Sequence, residues 1–276
     1  MPNTSRRSNN RGKYSGSRKK GRRKVYRKRS KAPFFLAVAG ILLIGAVVAI
    51  WKYNPGNIVD KAAELLNVED ARSAVKVVHK KRVVLNVPLI NQMDDPKLYN
   101  GCEVTSLAMV LNYNGIDVTK SELADNIETV PFQYDNGEHG NPNDGFVGSV
   151  SGSTSAGLGV YHGPIYNLAK QYADNVYDLT GSNFDTVVNR VEEGHPVWTI
   201  TTTAFAPVSD FESWDTPDGK IDVTYSEHSV CITGFDRDKR VIYVNDPYGY
   251  KNREVDWNDF AAAYKQMGKQ AVYVTK

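Results

Sequence analysis

Eighteen consecutive uncharged residues, FFLAVAGILLIGAVVAIW at 34–51, split this chain into parts that cannot share one fold. As an α-helix the run would extend about 27 Å, close to the roughly 30 Å hydrocarbon layer of a bilayer, so it predicts one membrane span. The rival is a cleaved secretory signal, since basic residues come first, but the run is long and no A-x-A site follows it. Residues 1–33 carry fourteen of the 34 Lys and Arg and no Asp or Glu. The twenty remaining basic residues meet 31 acidic ones, so a total of +3 conceals a basic tail and an acidic remainder of −11. A segment so basic and so poor in apolar side chains is expected to be a disordered tail. Its charge also orients the span, leaving the tail cytoplasmic and everything from Lys52 onward outside. Nucleic acid would be another partner for such a tail. A flank beside a membrane span explains the charge through orientation and anionic headgroups, so no nucleic-acid role is expected.

Residues 52–82 read as a stalk, interrupted by Asn54-Pro55-Gly56 and holding a short amphipathic helix within 58–78. The domain proper covers 83–276. Its first stretch, VVLNVPLI at 83–90, is β-branched and apolar and predicts a strand. A helix follows from Cys102, and a second at 119–127 opens with a Thr119-x-x-Glu122 capping box. Residues 131–163 form a long Gly- and Asn-rich loop, of a length that is functional or mobile in a compact domain. Helices are predicted at 165–172, 183–193 and 257–267. Strands are predicted at VWTITTT, 221–225, HSVCITGF, RVIYVND and QAVYVTK. Helices first and strands later indicate the α+β class.

Within 101–115, GCEVTSLAMVLNYNG, the residues Val104, Leu107, Ala108 and Leu111 recur at the spacing of one buried helical face. Asn114-Gly115 then supplies a left-handed stop. Cys102 therefore sits in the first turn, where free amides and the helix dipole favour a thiolate. There a thiol of ordinary pKa about 8.5 can fall to roughly 3.5–7.5. Glu103 places a negative charge beside it that works the other way. A small buried hydrophobe, or half of a disulfide with Cys231, is the plain alternative. Two cysteines in 276 residues make no disulfide framework. Two later strands bear His228, at the start of EHSVCITGFD, and Asp246, at the end of YVNDP. A turn at 236–239 would fold them into a hairpin and bring imidazole and carboxylate together. A thiolate needs an imidazole to take and return its proton, and the imidazole needs an acceptor to hold its tautomer.

Taken together, GCEVTSLAMVLNYNG, INQ ten residues before the cysteine, EHSVCITGFD and YVNDPYG resemble the stand-alone cysteine peptidases related to the bacteriocin-processing (double-glycine leader) peptidases, of the papain-like clan. GHPVW and MGKQAVYV are similar too, and the likeness covers about 83–276. The resemblance implies a papain-like fold, with a helical half carrying Cys102 packed on a β half carrying His228 and Asp246. It implies Cys102 as nucleophile, His228 as general base, Asp246 as the orienting residue and Gln92 as oxyanion donor. Gln92 suits that role, since its amide N–H and the backbone N–H of Cys102 can hold a developing oxyanion. Two departures stand out. The transporter-fused members carry Cys-Gly-Pro at the nucleophile and a downstream ATPase. Here Cys-Glu-Val stands instead, and no G-x-x-x-x-G-K-[ST] occurs, so neither a fused ATPase nor export-coupled leader processing is expected.

The reading is a membrane-anchored extracellular cysteine peptidase of a Gram-positive bacterial cell, acting on peptide bonds or on cell-wall peptides and amides, with no cofactor and no metal. Its rival is a non-catalytic surface module whose cleft binds a peptide or wall polymer. A zinc site from Cys102, Cys231 and His228 lacks paired-ligand spacing. The oxygen-rich stretch 135–144 lacks the EF-hand pattern and reads as a mobile polar loop rather than a calcium site. His139, His162 and His195 lie near Gly or Pro and are expected to face solvent. Trp198, Trp214 and Trp257 either line a cleft or fill the core.

Overall fold

The computed structural model describes residues 79–276; the tail at 1–33, the expected span at 34–51 and all but the end of the stalk at 52–82 lie outside the described residues. No helix among the described residues is long and apolar enough to cross a membrane. The first elements are β1 (Arg82–Val84), α1 (Cys102–Tyr113) and α2 (Lys120–Asn126). The strands β2 (Thr129–Val130) and β3 (Phe146–Val147) pair in parallel, β3 lying within the long loop. Then come α3 (His162–Lys170), β4 (Val176–Asp178), α4 (Phe184–Glu192), β5 (Val197–Thr202) and the hairpin β6 (Glu212–Thr216) with β7 (Gly219–Val223). The chain closes with β8 (Glu227–Asp236), β9 (Val241–Asp246), β10 (Tyr250–Asp256), α5 (Trp257–Gln266) and β11 (Ala271–Val274).

Seven of these strands make one antiparallel sheet in the order β10-β9-β8-β5-β11-β4, with β1 paired to the far half of β8. Strand β8 is its axis. Nine of its ten residues are buried, because VCITGF is apolar on both faces and both need cover. On one face Cys231 packs with Trp198, Ile200 and the α1 residues Val104, Leu107, Ala108 and Leu111. On the other, Val230, Ile232 and Phe235 pack with Val187, Val188 and Val191 of α4 and Trp257, Phe260 and Tyr264 of α5. The α+β class holds. The expected pairing of one helical half with one β half is more layered than that, since helices cover the sheet from both sides.

Helix α1 begins at Cys102 and stops as its sequence requires, with Gly115 at φ +86°. Thr119 caps α2 by accepting the Glu122 N–H at 3.1 Å. Three expectations change. The strand foreseen over 83–90 is only three residues long, since after Leu85 N–H donates to Thr233 O the chain leaves the sheet, with Pro88 unable to donate. The loop 131–161 is packed rather than open: Phe146, Val147, Val150, Val160 and Tyr161 are buried, and Asn141 donates to Asp218 at 3.1 Å. His139, His162 and His195 are half-buried instead of solvent-facing. His139 stacks on Trp214 at 4.1 Å between centroids and its Nδ1 pairs with Phe132 O, while His162 pairs with Asp178 at 2.8 Å. The three tryptophans all fill the interior.

Candidate active site

The β8–β9 hairpin does what its length predicts. His228, at the second position of β8, and Asp246, at the end of β9, are both buried, and His228 Nε2 lies 3.0 Å from Asp246 Oδ1. The carboxylate accepts the Nε2 proton, so Nδ1 is the nitrogen left to receive one. Asp246 has two further partners, Tyr248 and Arg253. Burial pushes its carboxyl up. The His228 bond and charge, the Tyr248 N–H at 3.1 Å and Arg253 Nη1 at 2.9 Å more than offset this, keeping it below the ordinary carboxylate range.

Cys102 reaches the same place from α1. One turn further along the helix, Ser106 Oγ donates to Ser229 O at 3.1 Å. The backbone of Ser229, immediately after His228, also acts on the Cys102 thiol, pulling its pKa down. Trp198 Nε1 on β5 donates to Glu103 O at 3.0 Å, so the start of α1 is pinned to both central strands. The helix start does not lower this thiol as the dipole argument expects. Burial of the sulfur pushes it up most, and Glu103, then Glu227, add to the rise; only the Ser229 N–H pulls it down. The thiol donates to Glu103 Oε2 at 3.3 Å. Cys231 is free, fully buried and raised by burial alone, so no disulfide joins the two cysteines. No cluster of metal-ligating side chains occurs among the described residues.

Gln92 is buried beside the 98–101 turn that leads into Cys102. Its Nε2 donates to Leu98 O at 3.0 Å and Tyr99 O at 3.3 Å, and its Oε1 has no partner. Its backbone N–H donates to Pro247 O at 2.7 Å, tying the loop to the turn after Asp246.

A family profile described as "Peptidase_C39 like family" matches residues 84–272. This chain belongs to the C39-like peptidase family. The uncharacterised protein YvpB of Bacillus subtilis (strain 168) is 52% identical over 221 residues, 80% of this chain and 87% of that one. The crystal structure of a putative C39-like peptidase from Bacillus anthracis superposes with a TM-score of 0.68 at 43% identity, over 71% of this chain and 98% of that chain.

In this C39-like domain the sequence motifs name Cys102, His228, Asp246 and Gln92 but not what holds them. Arg253 escaped notice because it lies on β10, a strand with no apolar alternation to betray it. Its guanidinium stands 4.7 Å from the Phe205 ring centroid and 5.2 Å from that of Tyr250. Phe205, a bulky residue at φ +55°, sits edge-on to His228 at 6.0 Å, and the Tyr248 ring lies 5.5 Å from the same imidazole. Lys120 is the other omission. Buried on α2, its Nζ donates to the carbonyls of Asn91, Gln92 and Asp94 at 2.9, 2.8 and 2.5 Å, gathering the Gln92 loop around one cation. A lone Lys after a helix cap carries no signal of such a role.

Proposed function

We propose that this chain is a membrane-anchored cysteine peptidase whose domain lies outside the cell and cleaves peptide bonds or related cell-wall amides. The observation that carries the reading is the buried His228–Asp246 pair at 3.0 Å, with α1, which begins at Cys102, bonded through Ser106 to the residue after His228. In this reading the Cys102 S–H bond breaks as His228 Nδ1 takes the proton. The sulfur attacks the carbonyl carbon, and the C–N bond then breaks with the proton passing to the leaving amine, which leaves a thioester. Water, deprotonated by the same imidazole, displaces the thiol and releases the acid. Asp246 holds the ring in the needed tautomer. The oxyanion would be met by the Cys102 N–H and by a Gln92 N–H turned from its loop carbonyls.

Alkylation tests the chemistry. Iodoacetamide at pH about 6 is expected to label Cys102 rapidly and Cys231 hardly at all in the folded protein, mapped by peptide mass spectrometry, since Cys231 is wholly enclosed. A non-catalytic binding module predicts no such acid-side reactivity. Equal rates at the two cysteines would sink the peptidase reading. Topology is a separate question that rests on the charge asymmetry of 1–33. Protease added to intact cells should remove the domain and spare the tail; digestion of the tail from outside would reverse the orientation, and a mature chain starting after Trp51 would make the span a signal.

A further inference from the structure

Two buried carboxyl groups meet beside the nucleophile, and the mechanism above uses neither. Glu103, the second residue of α1, is 1% exposed; its Oε1 accepts the Val160 N–H at 2.9 Å, and its Oε2 accepts the Cys102 thiol at 3.3 Å. Glu227, the residue before His228, has both carboxyl oxygens enclosed with no N–H donor, and the group it faces is the carboxyl of Glu103. The two converge on one backbone point, because a Cβ at Gly159 would fall 2.4 Å from Glu103 Oε1 and 3.1 Å from Glu227 Oε1. Only glycine leaves room for both. Two carboxylates this close and this dry cannot both be charged, so the pair keeps at least one proton over a wide range.

The geometry points to Glu103, backed by Glu227, as a positioning residue that decides whether the Cys102 proton stays on sulfur or is given up to His228. The idea rests on Cys102 being the nucleophile. When Glu103 is charged it is the better acceptor for the thiol hydrogen and opposes a negative sulfur. When it is protonated that opposition is gone, and the sulfur is free to pair with His228. Burial chiefly pushes the Glu103 carboxyl up, to about 7, with the backbone N–H groups, the thiol and Glu227 restraining it; burial first, then Glu103, push the Glu227 carboxyl well up from its ordinary value. The handover therefore falls near neutral pH. The other titratable groups around the pair are His228 on β8, Tyr161 ahead of α3, and Tyr248 after β9, which also feels Cys102 and Asp246. Both tyrosines stay neutral through this range, since burial raises each of them above its ordinary value.

The test is the pH profile of Cys102 alkylation by iodoacetamide from pH 5 to 9, on the full-length chain, with Glu103→Gln, Glu227→Gln and His228→Ala alongside the parent. Gln keeps the acceptor for the Val160 N–H and cannot become an anion. Glu103→Gln should leave the rate at pH 5.5 within about twofold and raise it about tenfold or more at pH 8, as loss of one adjacent charge predicts. Glu227→Gln should move the break in the profile to higher pH, because the acid proton of Glu227 is one of the groups that hold the Glu103 carboxyl down. Superposable profiles for Glu103→Gln and the parent, or a rate lowered equally at every pH, would overturn the proposal and leave Glu103 a packing residue. His228→Ala separates this from the reading beneath it. If it fails to slow labelling at pH 6, the nucleophile assignment falls whatever Glu103 does; if it slows labelling while Glu103→Gln changes nothing, only the present inference falls.

Discussion

Replacing Cys102 or His228 by Ala should abolish peptide hydrolysis, a loss of at least about 10⁴-fold, while the far-UV circular dichroism of the protein stays unchanged. The fold should survive either change, since Asp246 keeps the Tyr248 N–H and Arg253 when His228 is removed. Cys102 is only partly buried, and α1 is anchored instead by Trp198 and Ser106. Asp246→Ala should leave measurable activity, because His228 still has the Phe205 and Tyr248 rings against it when its acceptor is gone. Gln92→Ala should cost about 10²–10³ in turnover if an amide N–H serves the oxyanion. Its unfolding midpoint, measured in parallel, separates that loss from a loosened 98–99 turn. Near-normal turnover by Cys102→Ala would refute the thioester mechanism outright.

The second large effect belongs to stability. Trp198 is fully buried on β5, packs against α1 and donates its only polar hydrogen to Glu103 O. Trp198→Ala should lower stability by about 3–5 kcal/mol, the range for emptying an aromatic site in a rigid core. Trp198→Phe, which keeps most of the volume and loses the hydrogen bond, should cost about 1–2 kcal/mol. Urea denaturation followed by circular dichroism reads both. Equal losses for the two variants would mean that the indole N–H, not the packing, holds α1 to the sheet.

What could be read beforehand follows from where apolar residues fall. Helix α1 was legible from four residues on one face and a Gly stop. The β8–β9 hairpin was legible because HSVCITGF and RVIYVND are apolar enough to need burial. Strands β4, β6 and β10 were not. In β10, YKNREVD, only Val255 is buried, so its pairing with β9 comes from backbone hydrogen bonds that no side-chain pattern announces. Arg253 was lost with it. The motif residues of the candidate site were nameable, but their electrostatics were not. The dipole argument took the thiol down, whereas the burial that pushes it up, and the Glu227 charge that adds to the rise, come only with the fold. Lys120 likewise reaches the Gln92 loop across 28 positions of sequence.

The hairpin has a last consequence, for the order in which the site is assembled. His228 and Asp246 are 18 positions apart, whereas the contact that seats α1 on β8, Ser106 to Ser229, joins groups 123 positions apart. Closing the longer loop costs about 1.7 kcal/mol more in chain entropy, so the local pair is the easier of the two to form during folding. The imidazole and its carboxylate are therefore expected to meet more readily than the helix of Cys102 meets β8. A chain in which α1 has not yet docked would hold the imidazole and carboxylate without the sulfur, so reactivity at Cys102 is expected only once that helix is seated on β8.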